Sequence, residues 1–524
     1  MESEDHNAEE RNVGTAVWQT VDERADEKAK AMHAETEDFH GTAERGHAAT
    51  DRYGQSLVTF DVAAEAKLRR KIDFCIVPIV SIMYLFTFMD RANIGNAKLA
   101  GFERDLHLAG YDYNTINSIF SISYILFELP SSMVCKWVGP GWFIPTTALC
   151  LGVCSLCTAF VHNFSQACAV RFLLGIFESG VLPSIAYYLS RWYRRSELVF
   201  RLSLYVVMAP LAGAFGGLLA SAILQLDSFG SLYRWRMIFA IEGTITCGIA
   251  LVAYVILTDR PETARWLTQE EKDLAISRVK SERIATTEIL DRFDTKKILR
   301  GIFSPVTLTT ATIFLLDNVT VQGMVFFAPT IVMTIYPHES VVSQQLHTVP
   351  PYMVGAFFVL LFSFLSWRFD RRNIFFILSA PMIVTGYIIF VATLDPHARY
   401  GATFLIAAGG FSFGALTSAQ VAANVVSDTA RSTAIGTVHI MGNSGGLIST
   451  WSFLPTDSPR YNIGNGLNLG TSSMVLILAL GLQYYMWADN KRRKKRNVDA
   501  ELQGLSIQQI QDLDWHHPGF RWSP

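Results

Sequence analysis

Runs of roughly 20 apolar residues recur along this chain, and they constrain its fold more than any other feature. Each run is long enough to cross a bilayer as an α-helix, in which every backbone group finds its hydrogen-bond partner inside the segment. The sequence therefore predicts an all-α membrane protein with about 12 transmembrane helices. The runs lie near 72–90, 114–136, 142–161, 166–190, 199–224, 236–257, 306–334, 347–366, 373–393, 401–426, 431–453 and 469–489.

The composition agrees with a membrane protein. Half of the residues are hydrophobic and only 17% are charged, whereas soluble domains carry about a quarter of charged residues. The formal net charge of −2 indicates no nucleic-acid partner. There is no P-loop and no nucleophile elbow, so we expect neither an enzyme nor a cofactor. Cys150, Cys154 and Cys157 share a helix face, but no ligand set stands around them and we expect no metal.

Lysine and arginine residues occur in alternate connections between the apolar runs. "KLRRK" precedes the first run and "KRRKKR" (491–496) follows the last one. Because positive loops stay on the cytosolic side, both termini are predicted to be cytosolic, in a multi-pass protein of the plasma membrane.

Polar segments set the expected domain boundaries. The acidic N-terminal tail lacks apolar periodicity and is predicted to be disordered. "LTQEEKDLA" in the central linker predicts an amphipathic cytosolic helix. The basic C-terminal tail is expected to be loose from 497 onward, despite Trp515 and Trp522. The expected regions are the tail 1–66, a six-helix half 67–257, the linker 258–305, a pseudo-symmetric six-helix half 306–490 and the tail 491–524.

Charged residues inside the apolar runs are the candidates for function, because each costs on the order of 2.5–3.5 kcal/mol at a helix centre. Asp90 and Arg91 follow directly on "IVPIVSIMYLFTFM". The two residues form either a pair that takes part in the function of the protein or a structural ion pair at the end of the helix. In the fourth run, Arg171, Gly175 and Glu178 share one face, where glycine lets a neighbouring helix approach. The alternative is a structural ion pair between Arg171 and Glu178.

Other polar residues in the runs are interpreted more simply. Arg236 is expected to snorkel at the outer end of the sixth run, and Glu242 to form a structural bond to a neighbouring helix end. His439 is more typical of a satisfied interior histidine than of a proton relay. Further polar residues of the second half are predicted to line the interior: Asp317, Asn318, Gln322, Asn424 and Asn443.

With these residues placed, the chain resembles the anion:cation symporter family of the major facilitator superfamily, and within it the fungal allantoate permease branch. The resemblance covers roughly 66–490. The motifs that carry it are "DRANIGNAKLAG" (90–101), "RFLLGIFESGVLPS" (171–184), "YLSRWYRRSE" (188–197), "AGAFGGLLA" (212–220), "RWRMIFAIEG" (234–243) and "GNSGGLISTW" (442–451). The last motif, with "DSPRYNIGNGLNLG" (457–470), is most similar to high-affinity nicotinate transporters.

The resemblance implies a monomeric transporter that carries a small organic anion together with protons. It implies that Asp90 and Glu178 exchange protons and that Arg91 and Arg171 handle the anion. Asn443 matches a substrate-side position, and the polar lining adds Gln322 and Asn424 to the substrate-binding candidates. Two departures stand out. Phe88 replaces a frequent tyrosine, and "MVCKWVGPG" is a degraded form of the superfamily's turn.

Three functions remain open at the level of sequence. The first is proton-coupled import of a nicotinate-like monocarboxylate or a related vitamin or ureide. The second is an exporter or drug antiporter of the same fold, which the Gly- and Ala-rich fifth run around Pro210 favours weakly. The third is a nutrient sensor that signals through its linker and tails without net transport.

Overall fold

The computed structural model describes residues 61–193, 195–228, 230, 232–280, 295–425, 428–498, 501 and 513–524. The chain divides into two units, which are described separately. The smaller unit contains the start of the first helix, up to Leu68, and the helix Gln269–Lys280. Within it, Arg278 Nη1 lies 3.8 Å from Glu65 Oε1. The smaller unit also includes Asp61 and Thr268, and all other described residues belong to the larger unit.

The described elements are helical, apart from turns, one isolated bridge residue and extended connections. Among the described residues, nine α-helices form the N-terminal half, two lie in the linker and eight form the C-terminal half. Those of the N-terminal half are α1 (Val62–Leu99), α2 (Phe102–Asp105), α3 (Asp112–Val138), α4 (Pro140–Thr158), α5 (Phe164–Ser179), α6 (Val181–Trp192), α7 (Arg195–Val206), α8 (Met208–Ile223) and α9 (Trp235–Ile256).

The linker contributes α10 (Gln269–Lys280) and α11 (Thr295–Ile302), and residues 281–294 lie outside the described part. The predicted linker helix thus corresponds to α10. The C-terminal half contains α12 (Pro305–Ile335), α13 (Val341–Leu346), α14 (Val349–Phe369), α15 (Asn373–Ala392), α16 (Pro396–Gly410), α17 (Phe413–Ala423), α18 (Asp428–Thr450) and α19 (Asn462–Arg493).

The helices confirm an all-α membrane protein. Eleven helical segments of the described chain are long and apolar enough to span a bilayer. Four of these spans join consecutive helices, namely α5 with α6, the end of α7 with α8, α13 with α14, and α16 with α17. Helix α18 is 23 residues long but more polar, and counting it as a further pass gives the predicted twelve. Its polar content comes from residues that line the interior.

Several boundaries differ from the sequence-based expectation. Helix α1 begins at Val62, inside the predicted N-terminal tail, whose residues 1–60 lie outside the described part. The fourth span changes from α5 to α6 at Gly180, and the tenth span changes from α16 to α17 near Phe411. Hydropathy averages over about 20 residues, so it detects the pass but not the break inside it.

Within the larger unit, twelve alternating passes place Arg69 of α1 and the end of α19 on one side of the bundle, here named the terminal side. The other side is named the opposite side. On the opposite side the two halves are hydrogen-bonded to each other. Tyr113 Oη donates to the carbonyl of Phe326 at 3.0 Å, and Trp451 Nε1 donates to Ser118 Oγ at 2.9 Å. Helix α3 of the first half is thereby bonded to α12 and to the residue that follows α18.

The Gly- and Ala-rich fifth span also joins the halves. A Cβ added at Gly213 would lie 2.6 Å from the ring of Tyr352, and one at Gly217 would lie 2.8 Å from Thr348 Oγ1. These glycines let α8 approach α14 closely. The small residues that resembled an antiporter signature therefore form a packing surface between the halves.

The C-terminal tail is not loose in its last twelve residues, so that prediction is wrong for this segment. Trp522 is only 2% exposed, and its Nε1 donates to Asp489 Oδ2 at 2.7 Å. The backbone of Ser523 forms reciprocal hydrogen bonds with the Asn424 amide, at 2.8 and 2.9 Å. Arg372 donates its backbone N–H to the carbonyl of Pro524. The two tryptophans of this segment explain its docking, because each buries a large apolar ring.

Candidate functional site

Asp90 and Arg91 lie inside helix α1, which continues for eight more residues to Leu99. Asp90 is 1% exposed, and its Oδ1 accepts a hydrogen bond of 2.6 Å from Ser155 Oγ on α4. Asp90 Oδ2 has no hydrogen-bond partner among the described residues. The pair is therefore not at a helix end, and the alternative interpretation as a helix-end ion pair is wrong.

Arg91 forms an ion pair with Glu178 of α5. Its Nε donates to Glu178 Oε1 at 2.8 Å, and its Nη2 lies 2.5 Å from the same oxygen. Both side chains are buried. The expected alternative, an ion pair between Arg171 and Glu178, is not what the structure shows. Breaking a buried ion pair by removing one partner typically costs about 3–5 kcal/mol, so Arg91 and Glu178 hold each other in place.

Aromatic rings surround the Arg91 guanidinium. Its Cζ lies 5.2 Å from the ring centroid of Phe88, 5.4 Å from that of Phe120 and 4.8 Å from that of Tyr124. Ring faces stabilise a cation by about 0.5–2 kcal/mol each, more when water is excluded. Phe88, noted as a departure from tyrosine, thus contacts the arginine through its ring.

Arg171 is close to this group but has no acceptor. It is 1% exposed, and none of its three guanidinium nitrogens has a hydrogen-bond partner among the described residues. Its Cζ lies 5.8 Å from the ring centroid of Phe239. A desolvated guanidinium without an acceptor is costly. An anion or a shift of a carboxylate would supply the missing acceptor.

Gly175 permits this arrangement, as the sequence predicts. A Cβ at this position would overlap Ser123 Oγ and would lie 2.6 Å from the carbonyl oxygen of Phe120. Helix α5 therefore approaches α3 at a distance that only glycine allows. This contact sets Glu178, one turn further along α5, beside Arg91.

The Arg91 side chain lines a cavity between the two halves, here named the central cavity. From the second half it is lined by Gln322 on α12 and Asn443 on α18, which were both predicted as substrate-binding candidates. The remaining lining comes from both halves: Phe120, Ser121, Tyr124, Phe326 and Gly446. One cation, two amides and several aromatic rings converge here, so charged, polar and apolar groups are all present at this cavity.

Glu128 of α3 is a residue that the sequence analysis missed. It is buried, and its Oε2 accepts a hydrogen bond of 3.0 Å from Asn443 Nδ2 across the two halves. It also interacts electrostatically with Arg91. The signal was available, since Glu128 is an ionisable residue in the middle of the second apolar run, which is the rule that singled out Asp90 and Glu178.

The remaining candidates lie elsewhere. Asn424 follows α17 on the terminal side and bonds to Ser523, so the structure does not bring it to the central cavity. Arg236 does not snorkel, because its Nη1 donates to the carbonyl of Ala159 at 2.7 Å. Glu242 accepts a hydrogen bond from Asn93 Nδ2, which lies within helix α1 and not at a helix end. His439 contacts Ser418 Oγ at 3.2 Å, as an interior histidine with a partner.

Within the described ranges, no three His, Cys, Asp or Glu side chains come close enough to hold a metal ion. The cavity between two helical halves, with ionisable groups at mid-membrane, is the arrangement of a membrane transporter. The family model of the Major Facilitator Superfamily matches residues 80–450. The chain belongs to this superfamily.

Similar fungal proteins span nearly the same length. An uncharacterized transporter of Schizosaccharomyces pombe is 33% identical, over 88% of this chain and 91% of the relative. The MFS-type transporter efuF of Hormonema carpetanum is 30% identical, over 87% of this chain and 91% of its own length. A high-affinity nicotinic acid transporter of Saccharomyces cerevisiae is 28% identical, over 87% and 85%.

Solved structures share the fold. A bacterial homolog of the human lysosomal transporter Spinster, in an inward-facing and unoccupied conformation, superposes with a TM-score of 0.57 and 13% identity. The superposition covers 81% of this chain and 97% of that one. The nucleoside transporter NupG superposes with a TM-score of 0.53 and 13% identity, over 78% and 99%.

Proposed function

We propose that the protein imports a small organic anion, a nicotinate-like monocarboxylate or a related vitamin or ureide, together with protons. The observation that carries this proposal is the buried Arg91–Glu178 ion pair, placed beside Asp90 and open to the central cavity through Arg91. The nicotinic acid transporter among the relatives supports this choice of substrate class.

Coupling follows from competition for one guanidinium. While Glu178 is ionised, it holds Arg91, and the charge of Arg91 is largely neutralised. Protonation of Glu178 weakens this pair and leaves Arg91 free to bind the carboxylate of the substrate. Protonation of Asp90, the next residue in α1, removes a second negative charge from the neighbourhood of the anion. Anion and proton then travel together because each favours the binding of the other.

Arg171 and the two amides complete the proposed site. Arg171 supplies further positive charge behind the pair, and Gln322 and Asn443 supply neutral donors from the second half. An anion bound by both halves would favour their closure around it, as alternating access requires. We further propose that the terminal side faces the cytosol of the plasma membrane, because the basic turns and tails lie there.

Uptake of labelled anions by cells that lack their own transporter tests this function. The panel comprises nicotinate, pantothenate, allantoate and a dicarboxylate, each measured at acidic and at mildly alkaline external pH. An importer accumulates label better at acidic pH. An exporter lowers the cellular content of label, and a sensor leaves it unchanged. Either of the last two results contradicts the proposal.

A further inference from the structure

A second buried carboxylate lies in the C-terminal half, away from the central cavity. Asp317 of α12 is 2% exposed, and neither of its carboxylate oxygens has a hydrogen-bond partner among the described residues. A bare carboxylate in a dry interior is strongly disfavoured in its charged form. Burial without a hydrogen-bond donor therefore favours the neutral acid at Asp317.

The side chains around Asp317 are polar but uncharged. Tyr387 of α15 interacts electrostatically with Asp317, and its hydroxyl also interacts with Thr320, one turn along α12. Thr320 Oγ1 donates to Asn468 Oδ1 of α19 at 2.9 Å. These four residues form a polar cluster at the junction of α12, α15 and α19.

Among the described residues, the other helices beside α12 bring no charge to Asp317. Helix α16 presents Gly410, whose added Cβ would lie 3.9 Å from Asp317 Oδ1. The titratable His439 of α18 is directed to Ser418 and to the ring of Phe314. Among the described groups, Tyr387 is thus the titratable side chain that acts on Asp317, and its neutral phenol supplies no counter-charge.

A cavity borders this cluster. Tyr387 also lines a second cavity, which lies wholly within the C-terminal half. Three further lining residues are polar, namely Thr348 before α14, Thr403 of α16 and Asn465 of α19, and the others are apolar or aromatic. Tyr387 thus both lines this cavity and interacts with the Asp317 carboxyl group.

We propose that Asp317 binds and releases an additional proton in each transport cycle, separately from the Asp90 and Glu178 site. The inference rests on the proposed proton coupling. The proton enters from water in the second cavity, passes Tyr387 and adds to a carboxylate oxygen of Asp317; it leaves by the reverse reaction or when the halves rearrange. Each transported anion is then accompanied by one proton more than the first half alone supplies.

The Asp317→Asn variant tests the proposal. Asn keeps the size of the side chain, and no hydrogen bond to Asp317 is lost by the substitution. The first measurement needs no anion: infrared difference spectra of the purified protein, titrated from acidic to alkaline pH. We expect a protonated-carboxyl band that disappears on titration of the wild type and is absent from Asp317→Asn.

Asp227→Asn, at an exposed position between α8 and α9, is the matched control and should keep that band. Spectra of Asp317→Asn that titrate like those of the wild type overturn the proposal. A band that depends on Asp317 but does not change with pH also overturns it, because the carboxyl group would then be permanently neutral and structural.

The second measurement uses proteoliposomes and nicotinate. The proton-to-anion ratio is read from the membrane potential and pH gradient at which net flux stops. We expect the ratio to fall by one in Asp317→Asn and to stay unchanged in Asp227→Asn. An unchanged ratio in Asp317→Asn overturns the inference while leaving the proposed function intact. If the wild-type protein transports nicotinate without moving protons, the proposed function itself is wrong. In that case the infrared titration still shows whether Asp317 gains and loses a proton.

Discussion

Asn443 of α18 donates a hydrogen bond of 3.0 Å to Glu128 of α3, and this bond joins the two halves at the rim of the central cavity. The Glu128 carboxylate thus accepts a hydrogen bond from the Asn443 amide, which we propose as a donor to the substrate. A negative charge next to the site of an anion also repels it. Loading of the substrate therefore requires this side chain to move away or to be protonated.

Glu128→Gln should tighten the binding of nicotinate at mildly alkaline pH by roughly 5-fold, the lower end of ordinary coupling energies. Gln still accepts the hydrogen bond of Asn443 but carries no charge. Binding to the purified protein is measured by isothermal titration calorimetry, with Asn443→Ala as the comparison. Weaker binding in Glu128→Gln would show that the carboxylate itself helps to build the site.

Arg91→Ala should abolish measurable anion binding while the protein still reaches the membrane. The substitution removes the cation that lines the central cavity, and it leaves Glu178 without its partner. Because an uncompensated buried charge costs about 3–5 kcal/mol, the double variant Arg91→Ala/Glu178→Gln serves as the stability control. Transport with unchanged apparent affinity in either variant would mean that Arg91 is structural.

Glu178→Gln should lose proton-driven accumulation but keep exchange of substrate across the membrane. Exchange requires the loaded site to change sides, whereas accumulation requires Glu178 to gain and lose a proton. Both activities are measured in the same proteoliposomes, with and without a pH gradient. Equal loss of both, at normal expression, would assign Glu178 to a structural ion pair.

Asp90→Asn should bind the anion at alkaline pH about as well as the wild type does at acidic pH, yet fail to concentrate it. The variant mimics a permanently protonated Asp90, and its amide oxygen can still accept from Ser155. Ser155→Ala is the matched control, because it removes the bond and keeps the titratable group. Identical pH profiles for wild type and Asp90→Asn would exclude coupling through this residue.

Gly175→Ala should destabilise the protein by about 1–3 kcal/mol, because the added methyl overlaps Ser123 and Phe120 of α3. Gly466→Ala in α19 is the control, since its Cβ would have no neighbour within 4 Å. Thermal unfolding in detergent compares the two variants. Equal melting temperatures would contradict the close approach of α3 and α5.

The residues of the N-terminal site were recognisable from sequence, but their pairing was not. Asp90, Arg91 and Glu178 stand out because ionisable groups are expensive in apolar helices. Spacing along one helix suggested a pair between Arg171 and Glu178, whereas Glu178 binds Arg91, 87 residues away. A single sequence shows which residues share a face of one helix, but it does not show which faces of different helices contact each other.

Asn424 shows the same limit from another direction. Its polarity within an apolar run made it a candidate for lining the interior, yet its partner is the C-terminal backbone. Docking of a short irregular segment leaves no periodicity in the sequence. The tryptophans of that segment indicate docking, but the polar residues around them led to the prediction of a loose tail.

The docked residues 513–524 have a consequence for any soluble partner of the terminal side. Trp515 contacts Arg493, which is only 22 residues earlier in the chain, through its backbone carbonyl. A connection of this length holds the segment near its binding site at an effective concentration of about 1 mM. A free peptide or protein whose backbone bonds to Asn424 and Arg372 in the same way competes with this segment. To displace the segment it must reach a comparable concentration or bind far more tightly.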